Sequence, residues 1–124
     1  MTEGLYAIVV DPRKGMRLEH LPNGKASLKE LYSIIGCDIV ELSVLTQGGL
    51  ELYVDEEGFV NGSANNVGVF QLQDADGERL GQVMYAGIGV ILEVDHEFDE
   101  SIGFEKERAE QIMSSLRVQT AIAL

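Results

Sequence analysis

The residues of this chain best suited to chemistry are carboxylates, and they fall into two groups. Asp95, His96, Glu97 and Asp99 stand close together in the sequence, and an imidazole among carboxylate oxygens is a ligand set that suits a divalent cation. Successive side chains on an extended backbone alternate between faces, so Asp95, Glu97 and Asp99 would converge on one side and His96 with Glu100 on the other. A metal site therefore requires the loop to fold inward, and a solvated acidic loop is the plainer expectation. The second group is Asp55, Glu57, Gly58, Asn65 and Asn66, set in a stretch, DEEGFVNGSANN, that is dominated by turn formers. It reads as a structured loop whose Asn side chains close turns, or as a ligand or partner surface held on a rigid loop.

Nucleophilic catalysis would draw on Cys37 or on Ser27, Ser33, Ser43 and Ser63, with His20 or His96 as base. None of them stands in a nucleophile elbow. Cys37 is the only cysteine, which excludes an intramolecular disulfide and fits a reducing compartment. Asp74-Ala75-Asp76-Gly77 invites a calcium reading, but an EF-hand register would put Leu72 and Val83 at ligand positions. Gly87-Ile88-Gly89 begins like a dinucleotide fingerprint, lacks the third Gly and continues as a β run. With no complete motif, no catalytic residues and no cofactor are expected, and a non-enzymatic role is favoured over an enzymatic one.

Charge narrows the partners. The 124 residues carry 21 Asp and Glu against 9 Lys and Arg, a net charge of −12. Eight of the acids lie between Glu93 and Glu110, opposed only by Lys106 and Arg108, whereas the first 30 residues hold a net +1. Such a field repels phosphates and anionic headgroups and attracts cations and basic proteins. A protein partner is therefore expected, nucleic acid and membranes are not, and a homodimer is compatible with the chain. The opening MTEGLYAIVVDPRKG has an early acid and only six apolar residues in a row, unlike a signal peptide. No run approaches the roughly 18 apolar residues of a membrane span, so a soluble, cytoplasmic protein is expected.

Positioning these groups falls to a modest set of elements. Leu5 to Val10 is an apolar, β-prone run ended by Asp11-Pro12, and Met16 to Leu21 alternates as its hairpin partner would. Ser27 followed by Glu30 forms a capping box for a short helix whose apolar face is Leu28, Leu31, Ile34 and Ile35 and which ends at Gly36. Residues 39–45 and 50–54 read as a hairpin around Gln47-Gly48-Gly49, Val67 to Leu72 as a strand, and Gln82 to Val94 as one or two strands bent at Gly87 or Gly89. Glu105 to Leu116 is helical, with Ala109, Ile112, Met113 and Leu116 on one face; the tail after Arg117 suits an edge strand, a dimer contact or a frayed end. The fold expected is α+β, one domain over 1–124, with a mixed, mainly antiparallel sheet of five or more strands and two helices packed on one face.

Leu31 to Gly36, Ile39 to Leu42 with Glu41, the LYVDEEG segment from Leu52 to Gly58, Asn65 or Asn66, and Ala86 to Ile91 together resemble a domain-of-unknown-function family of small proteins of bacteriophages, plasmids and other mobile elements. The resemblance covers roughly residues 28–94. It implies no established activity and no catalytic residues. The expectation it leaves is a small acidic accessory protein of a phage or mobile element that binds a host or phage protein through an acidic surface. The alternative is a small-molecule- or metal-binding domain, or an enzyme, centred on the 55–66 or 95–100 loops.

Overall fold

The computed structural model describes residues 4–45, 49–95 and 100–120. β1 (Leu5–Asp11) and β2 (Gly15–Leu21) form the expected hairpin, in register from Leu5 opposite Leu21 to Asp11 opposite Gly15. Asp11 closes the turn by accepting the Arg13 N–H at 2.8 Å. Ser27 then caps α1 (Leu28–Ile35): its Oγ accepts the Glu30 N–H at 3.1 Å, and Glu30 Oε1 accepts the Ser27 N–H at 3.4 Å. Two donors that the first helical turn leaves unpaired are thereby satisfied.

β3 (Val40–Val44) and β4 (Leu50–Asp55) make the second hairpin; its turn residues 46–48 lie outside the described residues. Beyond it come the short helix α2 (Ser63–Asn66) and β5 (Val69–Gln73). The long apolar run that follows breaks at Gly87, whose φ of 83° is a left-handed value that side-chain-bearing residues avoid. β6 (Arg79–Ala86) ends before the break and β7 (Gly89–Asp95) begins after it, and the two go to different sheets.

Six strands form the first sheet, in the order β2-β1-β7-β4-β3, with β8 (Glu100–Ile102) paired to β7. The second sheet has the order β6-β5-β9, where β9 is Arg117–Gln119. Every described pairing is antiparallel. α3 (Lys106–Ser115) connects β8 to β9. The tail is thus an edge strand through Gln119, and residues 121–124 lie outside the described set.

Alternation along the first sheet separates two cores. Ala7, Val9, Val90 and Leu92 face α1, where Leu31 and Ile35 are buried against them. Ile8, Val10, Leu52, Val54 and Ile91 face the other way, against Phe70, Leu72 and Tyr85 of the second sheet and Ala109 and Leu116 at α3. The molecule is therefore three layers: α1, the large sheet, then the small sheet with α3. This corrects the expectation of one sheet with two helices on one face. A strand that buries both faces needs cover on both, and α1 and α3 lie on opposite sides.

A buried hydrogen bond between Ser43 and Tyr85 ties the two sheets together. Ser43 Oγ and Tyr85 OH lie 2.6 Å apart in the interior, and the Gln82 N–H also donates to the Tyr85 hydroxyl at 2.8 Å. Tyr85→Phe strands the buried Ser43 hydroxyl, so we expect a loss of about 1–3 kcal/mol. It is read as a lower urea midpoint with an unchanged slope.

Candidate functional site

Asp55, the last residue of β4, is the most unusual polar group in the described structure, because only 7% of it is exposed. Each of its carboxylate oxygens accepts a hydrogen bond. The Glu57 N–H donates to Oδ1 at 2.9 Å and the Asn61 side-chain amide donates to Oδ2 at 2.7 Å. Asn61 in turn accepts the Ser63 N–H on its own Oδ1 at 3.1 Å, so one Asp and one Asn staple both sides of the loop. Backbone bonds complete the frame: the Gly58 N–H donates to the Asp55 carbonyl and the Ala64 N–H to the Gly58 carbonyl, each at 3.1 Å. Gly58 is buried against β6, where an added Cβ would stand 3.0 Å from the Ala86 carbonyl oxygen. The chain closes that tightly only without a side chain.

Of the residues expected in this group, the structure brings together Asp55, the Glu57 backbone and Gly58. Asn65 and Asn66 sit exposed on α2, and their backbone N–H groups donate to the Gly62 carbonyl. The asparagine that closes the loop is Asn61. Its signal in the sequence was present but ambiguous, since DEEGFVNGSANN offers three asparagines and only the turn at Gly58 decides which one reaches back to Asp55. What the loop offers outward is apolar and acidic: Phe59 is 56% and Val60 81% exposed, beside the exposed Glu56 and Glu57.

Cys37 lies near this base. Burial, then the negative charges of Asp55 and Asp38, push its thiol above the ordinary cysteine range, while a hydrogen bond with the Ile39 backbone acts the other way. A thiol so placed stays protonated at neutral pH and is a poor nucleophile. Its alkylation should therefore show a pH midpoint above that of a free thiol, and Asp55→Asn should move the midpoint down by removing a neighbouring charge.

A second polar cluster links β4 to β8. Ser101 Oγ donates to Glu51 Oε2 at 2.8 Å and, having spent its single proton, accepts from Tyr53 OH at 2.6 Å. Burial raises the Tyr53 hydroxyl above its ordinary range, and the charge of Glu51 adds to it. Sequence reasoning did not single out Ser101, because its partners Glu51 and Tyr53 are distant in sequence and meet it only through β7. The cluster fastens the three-residue β8 to the sheet.

The acidic loop is only partly in view. His96, Glu97 and Asp99 lie outside the described residues, and Asp95 is described only as the end of β7, opposite Glu100. Among the described residues no group of three or more His, Cys, Asp and Glu could hold a metal ion. Glu93 is neutralised by Arg108 of α3, whose guanidinium approaches it at 2.6 Å. A shallow open depression of about 160 Å³ lies between β2 and α1, lined by Glu19, His20, Leu21, Glu30, Ser33 and Ile34. It falls short of the roughly 300–1,000 Å³ usual for small-molecule sites. Its carboxylates are also engaged, Glu30 in accepting the Ser27 N–H at the helix cap and Glu19 with Arg17 at 3.6 Å. No described helix is long and apolar enough to cross a membrane.

These features define a class: a small α+β protein with antiparallel sheets, in which the buried Asp55 carboxylate holds the loop that follows β4. Residues 2–117 match the family described as a domain of unknown function, DUF3846, and the chain belongs to that family. No curated protein and no solved structure matches the chain.

Proposed function

We propose that this protein is a non-enzymatic binding module, one domain acting in the cytoplasm, that docks a basic protein partner through its acidic surface. The resemblance to mobile-element proteins extends the reading to an accessory protein of a phage or plasmid acting on a host or phage protein. One observation carries it: in the 55–66 loop the buried Asp55 carboxylate and the Asn61 amide close the base while the apolar tip, Phe59 and Val60, is turned outward. Asp55, Asn61 and Gly58 fix the base, and Phe59 and Val60 stand in solvent beside Glu56 and Glu57. Ordering such a loop before contact removes the entropy that a partner would otherwise have to supply, and aromatic anchors are the commonest source of binding energy at interfaces.

Affinity capture from the source cell tests this, run with the natural chain and with a Phe59→Ser, Val60→Ser variant at low and high salt. The expected result is one basic protein that the natural chain retains, that high salt releases and that the variant fails to enrich. Equal enrichment by both chains, or none by the natural chain, overturns it.

A further inference from the structure

The outer edge of the large sheet is unprotected at β3. Along that strand the Leu45 N–H donates to the Leu50 carbonyl at 2.9 Å and the Glu56 N–H to the Ile39 carbonyl at 3.1 Å. Backbone groups alternate in direction along an antiparallel pair, so those of residues 39, 41, 43 and 45 turn toward β4. The N–H and C=O groups of Val40, Leu42 and Val44 therefore point away from the sheet, and among the described residues no strand pairs with them. The same residues expose apolar side chains on the α1 side, Leu42 at 47% and Val44 at 64%. Natural edges are usually blunted by Lys, Pro or a bulge. The opposite edge, β2, carries Arg17, Glu19 and His20, whereas β3 (VELSV) has only Glu41.

We propose that β3 pairs antiparallel with β3 of a second copy, joining two large sheets across a two-fold axis at Leu42. The register follows from charge and bond count. Pairing Val40 with Leu42 of the second copy would set Glu41 opposite its own mate, a like-charge pair that destabilises a sheet. Pairing Leu42 with Val44 avoids that clash but uses only two of the three outward-facing residues. Centring on Leu42 uses all three for about six backbone hydrogen bonds, sets Glu41 opposite Ser43, and lines Val40, Leu42 and Val44 of both copies into one apolar stripe. The pattern is self-complementary, as an isologous contact requires. Two chains of net charge −12 repel each other, so this contact tightens as salt screens them. Docking of a basic partner has the opposite salt dependence, and the two readings stand independently.

Sedimentation of the full chain across concentration, at low and high salt, reads the assembly. A dimer that strengthens with salt is expected, and Leu42→Lys, at an exposed position, should leave a monomer with unchanged circular dichroism. Register is read by disulfide trapping in a Cys37→Ala background. Leu42→Cys brings two Cα atoms to roughly 5.5 Å, within disulfide reach. Val44→Cys leaves them offset by four residues, roughly 14 Å apart at about 3.4 Å per residue. Leu42→Cys should therefore crosslink at least about tenfold faster. A monomer under every condition, a dimer unaffected by Leu42→Lys, or equal trapping at the two positions overturns the proposal.

Discussion

Phe70→Ala should cost about 3–5 kcal/mol, the range for deleting a fully buried aromatic ring. Phe70 is 0% exposed and its ring centroid lies 5.4 Å from that of Tyr85. The ring also fills the gap above Gly89, where an added Cβ would meet Phe70 Cζ at 3.0 Å and Leu52 Cδ1 at 2.8 Å. The small sheet therefore rests directly on the backbone of β7, the central strand of the large one. Gly89→Ala alone overpacks that contact, at about 1–3 kcal/mol. The two sites touch, so their effects should not add: Phe70→Leu together with Gly89→Ala should cost less than the sum of the single changes. Denaturant midpoints of the four proteins measure this. Strict additivity would mean that the two sheets do not meet at Gly89.

How much of this arrangement the sequence revealed follows from how local each cause is. The capping box of α1 needs only Ser27 and Glu30, three residues apart, and both hydrogen bonds form. The β1–β2 hairpin needs only alternation and the Asp11-Pro12 turn, and its register is regular. The segment from Gln82 to Val94 was legible as β structure with a break at a glycine. That its halves enter different sheets was not, because Gly87 sets only a local angle and the choice of neighbours is made by Phe70, Tyr85 and Leu52 from elsewhere in the chain. For the same reason the two helices were expected on one face. Each is amphipathic by its own pattern, and nothing within Leu28 to Ile35 or Lys106 to Ser115 states which side of the sheet will receive it. β8 was hidden because three residues carry too little periodicity, and it is held through Tyr53 and Glu51.

The candidate site divides in the same way. Asp55, Glu57 and Gly58 were visible because an acid, a turn and a glycine stand together. Asn61, like Asn65 and Asn66, reads from the sequence as a residue that bonds local backbone groups, as it does with the Ser63 N–H; its reach to Asp55 was not legible, because that depends on the compact turn at Gly58.

Asp55→Ala should free the 55–66 loop while leaving the sheets folded. The change removes a buried acceptor of two hydrogen bonds, and bonds to a charged group contribute about 1.5–3 kcal/mol each. The donors, the Glu57 N–H and Asn61 Nδ2, belong to exposed residues and recover water once the loop opens, so the net cost should be about 2 kcal/mol. Asp55→Asn is the sharper probe because it preserves shape and changes donor count. Its amide nitrogen would face Asn61 Nδ2, donor against donor. Turning the Asn61 amide to relieve this would give up the bond that Asn61 Oδ1 accepts from the Ser63 N–H. One of the two bonds is lost in either arrangement, so only a carboxylate satisfies Glu57 and Asn61 while Asn61 still holds Ser63. Hydrogen exchange should show faster exchange at the Gly58, Ser63 and Ala64 amides in both variants, greater for Ala than for Asn. The amides of β1 and β7 should be unaffected. If exchange rises equally across β1, β7 and the loop, Asp55 supports the whole fold and the loop is not a separately held element. If it does not rise at all, the staple contributes nothing and the apolar tip of Phe59 and Val60 is held by other means.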